Sequence, residues 1–200
     1  YEQGLITKDE LKNEQTKNTG KCNYSILYQT RLRLLYRAYI RFSNNQTLTD
    51  FSKNKHIFEF CKFQALCQIN GHNNWKIWKI NTVAKEYVDF WLFLQYEGYR
   101  QYFELKKCAN LNGVRIMGDL PMYSSFYSSD VYFYPEYYQL DNELEPLFIS
   151  GAKPDGFSSV GQCWGHPVYD WHRISKDGYI FWLDRITHMS NMFDGIRLDH

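Results

Sequence analysis

Phe193-Asp194-Gly195-Ile196-Arg197-Leu198-Asp199 is the stretch on which the fold reading turns. Ahead of it, Leu183, Ile186, Met189 and Phe193 recur at the spacing of an amphipathic helix. Asp194-Gly195 reads as a tight turn, and Ile196 to Asp199 as a short strand that ends on a carboxylate. The same pattern occurs earlier in the chain. Leu92, Tyr96, Tyr99 and Phe103 predict a long helix from about Thr82 to Asn110. Asn112-Gly113 ends it, with Gly113 suited to a left-handed conformation. Val114-Arg115-Ile116-Met117-Gly118-Asp119 then leans towards strand and again closes on an aspartate. Two helix-turn-strand units of this kind predict an α/β fold, part of a (β/α)8 TIM barrel. Active sites of such barrels lie at the C-terminal ends of the strands, so Asp119 and Asp199 are expected to face one pocket.

Between the two units, Pro121 to Ser175 is rich in Tyr, Ser, Gly and Pro and shows little periodicity, the pattern of a long insertion overhanging a site. Upstream, Leu32, Leu35, Tyr36, Tyr39 and Ile40 mark a helix. Arg31, Arg33, Arg37 and Arg41 lie among them, better read as a solvated face than as a binding stripe. Asn44-Asn45-Gln46 and Asn70 to Asn74 are loop signals, and Thr49-Asp50 is placed to start a helix. These readings divide the chain into a peripheral helical part, 1–81, and a partial catalytic barrel, 82–200, that includes a loop at 121–175.

The composition excludes several classes. With 23 basic and 22 acidic residues the formal charge is +1, so no general field draws in a nucleic acid or an acidic membrane surface. No run approaches the roughly 18 apolar residues of a membrane span, and the first residues lack a signal-peptide plan. The expectation is a soluble, cytoplasmic protein, with a plastid as the other compartment. Five scattered cysteines, Cys22, Cys61, Cys67, Cys108 and Cys163, have no zinc or redox spacing and are expected to be reduced and mostly buried.

Gly113 to His200 resembles the 4-α-glucanotransferase family (amylomaltase, or disproportionating enzyme). The resemblance runs in order through Gly118-Asp119-Leu120-Pro121, Pro154-Asp155, Phe157-Ser158, Gly161-Gln162, Trp164-Gly165, Pro167-Val168-Tyr169-Asp170-Trp171 and Arg197-Leu198-Asp199-His200. Phe90 to Tyr102 and Trp75 to Trp78 match more loosely. The resemblance implies an α-amylase-like barrel and a retaining double displacement on α-1,4-glucans and maltooligosaccharides, with no metal or organic cofactor. One carboxylate attacks the anomeric carbon and a second glucan, in place of water, accepts the sugar. It also implies that the acid/base Glu and a supporting Asp belong to strands after His200. The chain, opening on Tyr1, is therefore expected to be an internal fragment truncated at both ends and inactive alone.

By the same resemblance Asp199 is the nucleophile. Arg197, two residues away on a strand, can share its face, orient it and keep it ionised; the alternative is a structural Arg–Asp pair. Asp119 matches a substrate-binding residue, against which stands a turn former before Pro121. Gly151 to Gly165 matches a loop over the cleft, which makes Asp155, Phe157, Gln162 and Trp164 substrate-binding candidates, with His200 as a supporting residue. Three features depart from the family: Gly156 stands where a ring is usual, His166 where an Asn is usual, and Tyr127 to Asp130 is a loose acidic serine motif. Competing readings are a non-catalytic glucan-binding fragment or pseudoenzyme, a hydrolase on the same barrel, and a metal hydrolase on Asp119, Asp199 and His200. The last lacks any paired His motif.

Overall fold

A computed structural model describes residues 3–15, 20–43 and 45–199, apart from the side chains of Asn45 and Asp199. Two compact units interleave along the chain: one is Tyr1–Ala65 with Thr82–Tyr99, the other Leu66–Asn81 with Arg100–His200.

The first unit is helical. Its elements are α1 (Lys8–Asn13), α2 (Tyr24–Arg41), α3 (Asn45–Phe51), the larger part of α4 (Lys55–Asn70) and the first half of α5 (Lys85–Leu111). Local signals start these helices. Thr7 and Glu10 form a reciprocal capping box at α1, Asn23 caps α2, and Asn54 accepts the Ile57 amide at 3.2 Å ahead of α4. Thr49-Asp50 does not open a helix; both residues lie within α3, and the start they suggested falls to Asn54. Leu34, Ala38, Leu48, Cys61, Ala65, Val88, Leu92 and Phe93 form the buried core.

Three of the four arginines of α2 pair with acidic residues of α1 and its cap. Arg41 pairs with Glu10 at 2.7 Å, and Arg33 and Arg37 pair with Glu14 at 2.7 and 3.7 Å. Hydrogen bonds from Arg41 and the Thr7 amide lower the Glu10 carboxyl to about 2. Burial pushes the Cys61 thiol up to about 12. All five cysteines are free, but Cys22, Cys108 and Cys163 are exposed, which corrects the expectation of mostly buried thiols.

The second unit carries the strands. After α5 come β1 (Met117–Pro121), α6 (Ser129–Phe133), β2 (Ile149–Ala152), β3 (Gln162–Pro167), α7 (Trp171–Lys176), α8 (Ile180–Met192) and β4 (Gly195–Asp199). β1 pairs in parallel with β4, and β2 antiparallel with β3. The predicted helix-turn-strand units are present. Gly113 takes φ +77 at the end of α5, and the Val114 amide turns back to the Ala109 carbonyl at 3.0 Å. The first strand, however, runs on to Pro121, so Asp119 is its third residue and not its last.

The insertion is also more structured than its lack of periodicity suggests. Phe126, Val131, Tyr138, Tyr169 and Ile174 join Leu120 of β1 and Phe181 and Trp182 of α8 in one core. Aromatic rings fill it edge to face and stacked, as where Tyr169 lies 5.0 Å from Tyr138 and 5.4 Å from Trp182. Among the described residues no helix is long and apolar enough to cross a membrane.

Asp194 sets the start of both strands. Its carboxylate accepts the Ile116 amide and the Asn110 side chain, each at 2.8 Å, while its own amide donates to the Ile116 carbonyl at 2.9 Å. These bonds, with Lys106 nearby, hold its carboxyl below the usual carboxylate range. One residue into the pairing, a Cβ at Gly118 would lie 2.2 Å from the Phe193 ring.

Two predictions follow from this packing. Gly118→Ala is expected to destabilise the second unit by about 1–3 kcal/mol in urea denaturation, and adding Phe193→Leu to recover part of the loss. Glu10 has a folded pKa below its unfolded one, so its contribution is present above about pH 4.5 and fades as pH falls towards 2. The gap in unfolding midpoint between the wild type and Arg41→Met should accordingly close over that window.

Candidate functional site

β1 and β4 bring the two predicted site strands side by side. In their register Asp119 stands opposite Arg197, and Pro121 opposite Asp199. Parallel pairing puts directly opposed residues on one face, and alternation puts residues two apart on that same face. β1 alternates accordingly: Leu120 is buried, while Met117, Asp119 and Pro121 are exposed. The face of β1 that bears Leu120 is thus packed on the aromatic core, joined from β4 by the partly buried Ile196, while Leu198 at the end of β4 stays 55% exposed; the face that bears Asp119 is open.

On the open face Arg197 Nη1 donates to both carboxylate oxygens of Asp119 at 2.9 Å. The side chains remain 60% and 55% exposed, so the pair adds little to folding stability. The partnership with Asp119 was not foreseen from the sequence, which gave Arg197 to Asp199. The side chain of Asp199 and all of His200 lie outside the described residues. What is placed at Asp199 is its backbone, two rungs beyond the Asp119–Arg197 pair.

The remaining candidates lie on the arm formed by β2 and β3 and on the loop joining them. Asp155 organises that loop: its Oδ1 accepts the amides of Phe157 at 2.8 Å and Ser158 at 2.9 Å. This is the local turn bonding that Asp favours. Ser158 Oγ donates to the Gly161 carbonyl at 2.7 Å, bracing the far side. Phe157 projects from the braced loop and is 98% exposed. On β3, Trp164 Nε1 donates to Gln162 Oε1 at 3.0 Å, so two candidates orient one another. Tyr123, which the sequence did not single out, lies 6.3 Å from the Trp164 ring, just past the end of β1. The structure therefore brings together Asp119 with Arg197, and Gln162 with Trp164. Asp155 and Phe157 share the loop. A hollow of about 360 Å³ in the first unit, lined by Leu48, Phe58, Lys62, Val88 and Leu92 among others, contains none of these candidates.

A family model described as 4-alpha-glucanotransferase matches residues 2–200. The chain belongs to the 4-alpha-glucanotransferase family. Aquifex aeolicus 4-alpha-glucanotransferase is 33% identical over 98% of this chain and 44% of its own length. The chloroplastic/amyloplastic 4-alpha-glucanotransferase of Solanum tuberosum is 28% identical over 98% of this chain and 38% of its own. Among solved structures, amylomaltase from Streptococcus agalactiae in complex with acarbose superposes with a TM-score of 0.89 at 29% identity, covering 99% of this chain and 44% of that one. The chain thus spans less than half the length of these glucanotransferase relatives.

An ion pair as exposed as Asp119–Arg197 is expected to matter little for folding. Asp119→Asn is expected to shift unfolding stability by less than about 1 kcal/mol in a denaturant titration. A larger loss would show that the pair is a structural clamp.

Proposed function

We propose that this chain supplies one wall of the active site of a 4-α-glucanotransferase that moves α-1,4-glucan segments between maltooligosaccharides. The observation that carries the proposal is the register of the two strands: Asp119 opposite Arg197, and two rungs on the backbone of Asp199 at the end of β4. In this reading β1 and β4, with α8 packed on them, are neighbouring parts of a (β/α)8 barrel. Their open face is its lumen, residues 82–200 belong to the catalytic barrel, and 1–81 are peripheral.

Asp199 is the nucleophile. It attacks the anomeric carbon, the C–O bond to the departing glucan breaks, and a covalent glucosyl-enzyme forms with inversion at that carbon. The 4-hydroxyl of a second glucan then attacks from the opposite side. The bond from the anomeric carbon to Asp199 breaks and frees its carboxylate, and the hydroxyl proton passes to the conjugate base of the acid that protonated the departing glucan. This second inversion restores the starting configuration. Arg197 occupies the same strand face as Asp199 and keeps positive charge near it, which favours the ionised, attacking carboxylate. Asp119, held by Arg197, presents its oxygens to sugar hydroxyls on the reacting residue.

The arm from β2 to β3 closes over the sugar. Phe157, exposed on a braced loop, and Trp164, oriented by Gln162, supply flat apolar faces for sugar rings, while Gln162 and Asp155 address hydroxyls. Covering the intermediate disfavours water, so transfer outruns hydrolysis. Proton transfer to the leaving glucan needs a further carboxylic acid, for which no residue of the proposed wall is a candidate; with the chain covering 44% of its Aquifex aeolicus relative, the 200 residues by themselves are expected not to turn over. The compartment proposed is the cytoplasm or a plastid, the latter in keeping with the named location of the potato relative.

The test uses the protein expressed from its complete reading frame. Incubated with maltotriose, the wild type should yield glucose and a ladder of longer maltooligosaccharides. Asp199→Asn should lower that rate by roughly three orders of magnitude or more, with acarbose binding retained. Saturable binding that Asp199→Asn leaves unchanged, with no ladder from either protein, would instead establish a glucan-binding protein without chemistry.

A further inference from the structure

Arg185, on α8, belongs to none of the motifs that define the candidate site, and its side chain is only 20% exposed. Its guanidinium is spread over four acceptors. Nη2 donates to the Pro121 carbonyl at 3.2 Å. Nη1 reaches Ser124 Oγ at 3.0 Å, the Tyr169 hydroxyl at 3.1 Å and Asp130 Oδ2 at 3.4 Å. Ser124, which is buried, closes the cluster by donating to Asp130 Oδ2 at 2.7 Å. The Phe181 and Trp182 rings lie 5.5 and 5.1 Å from the guanidinium carbon.

The acceptors come from three separate pieces of the unit. Pro121 ends β1 and is the register partner of Asp199. Asp130 sits in the first turn of α6. Tyr169 lies two residues beyond β3, the strand that carries Gln162 and Trp164. We infer that Arg185 is a positioning residue that ties the end of β1, and so the rung of Asp119 and Arg197, to the arm that bears Gln162 and Trp164.

Its role in turnover rests on the glucan-transfer reading above, whereas the mechanical coupling does not. The residue type fits the task. Only a planar guanidinium has donors in fixed, divergent directions that satisfy a strand-end carbonyl and a cluster of three side-chain oxygens at once. A lysine ammonium carries the same charge but reaches one group or the other. Asp130 supplies the opposing charge, so the cation is not left unpaired where it is largely withdrawn from water. The coupling has a reason in the proposed chemistry: a sugar held between the strand ends and the arm needs both at a fixed separation, and an error of about 1 Å in such a site costs up to roughly a hundredfold in rate.

The experiment compares Arg185→Lys and Arg185→Gln with the wild type, again from the complete reading frame. Amide hydrogen exchange is followed over 117–124 and 162–170, with α2 as the internal reference. Both segments are expected to exchange faster, on the order of tenfold, in either variant while α2 is unchanged. If Arg185→Gln does not fold, Arg185→Lys carries the comparison. Exchange that is unchanged in both segments, or faster in 117–124 alone, overturns the coupling.

With maltotriose, Arg185→Lys is expected to lose about ten- to a hundredfold in kcat with KM changed by no more than about threefold. Full kcat in that variant, beside an active wild type, overturns the positioning role. A wild type that forms no ladder sinks the glucan-transfer reading instead, and the exchange data still decide whether Arg185 joins the strand end to the arm.

Discussion

The bonds of Asp194 are the constraint on which the strand pair depends. Its carboxylate and amide together fasten the residue before β4 to Ile116, the residue before β1, and Asn110 extends the fastening to α5. In a sheet with period-two side chains, a slip of one residue would turn every exposed group inward. Fixing the register at the first rung therefore fixes it two rungs on, where Asp119 meets Arg197. Gly118 is a second restraint on the same strand, because the Phe193 ring fills the space a side chain there would need. The polar bond sets the alignment along the strands, and the ring sets how closely α8 and its turn approach them.

Where the chain's signals were local, the sequence was readable. The long helix, the Gly113 turn and the terminal strand all rest on spacing or turn chemistry within a few residues. The glucanotransferase family was legible for a similar reason, since its motifs fall in order across one continuous stretch. What could not be read depends on groups distant in sequence. The partner of Arg197 lies 78 positions away and is chosen by register, which no single strand reveals. Likewise Arg185 gathers four oxygens from three pieces of the chain, none marked by periodicity.

The segment 121–175 reads as an insertion with little periodicity because its order comes from short strands, capped turns and rings packed in irregular sequence. A run of Tyr and Phe without spacing looks like a loop until the rings are seen to pack on one another. The surface cysteines show a related limit. A free thiol is buried more often than most residue types, but an isolated position carries no information about which side of a helix or strand it occupies.

The loop between β2 and β3 combines two properties that usually exclude each other. Its tip is an aromatic ring in full contact with solvent, yet the backbone beneath it is tied down by the Asp155 carboxylate and the Ser158 hydroxyl. Immobilising a flexible loop at the moment of contact draws on each residue's backbone freedom. Here much of that freedom is surrendered when the chain folds. A molecule that lands on Phe157 therefore keeps most of the free energy of covering the ring, and the loop can release it again without having to reorder before the next encounter.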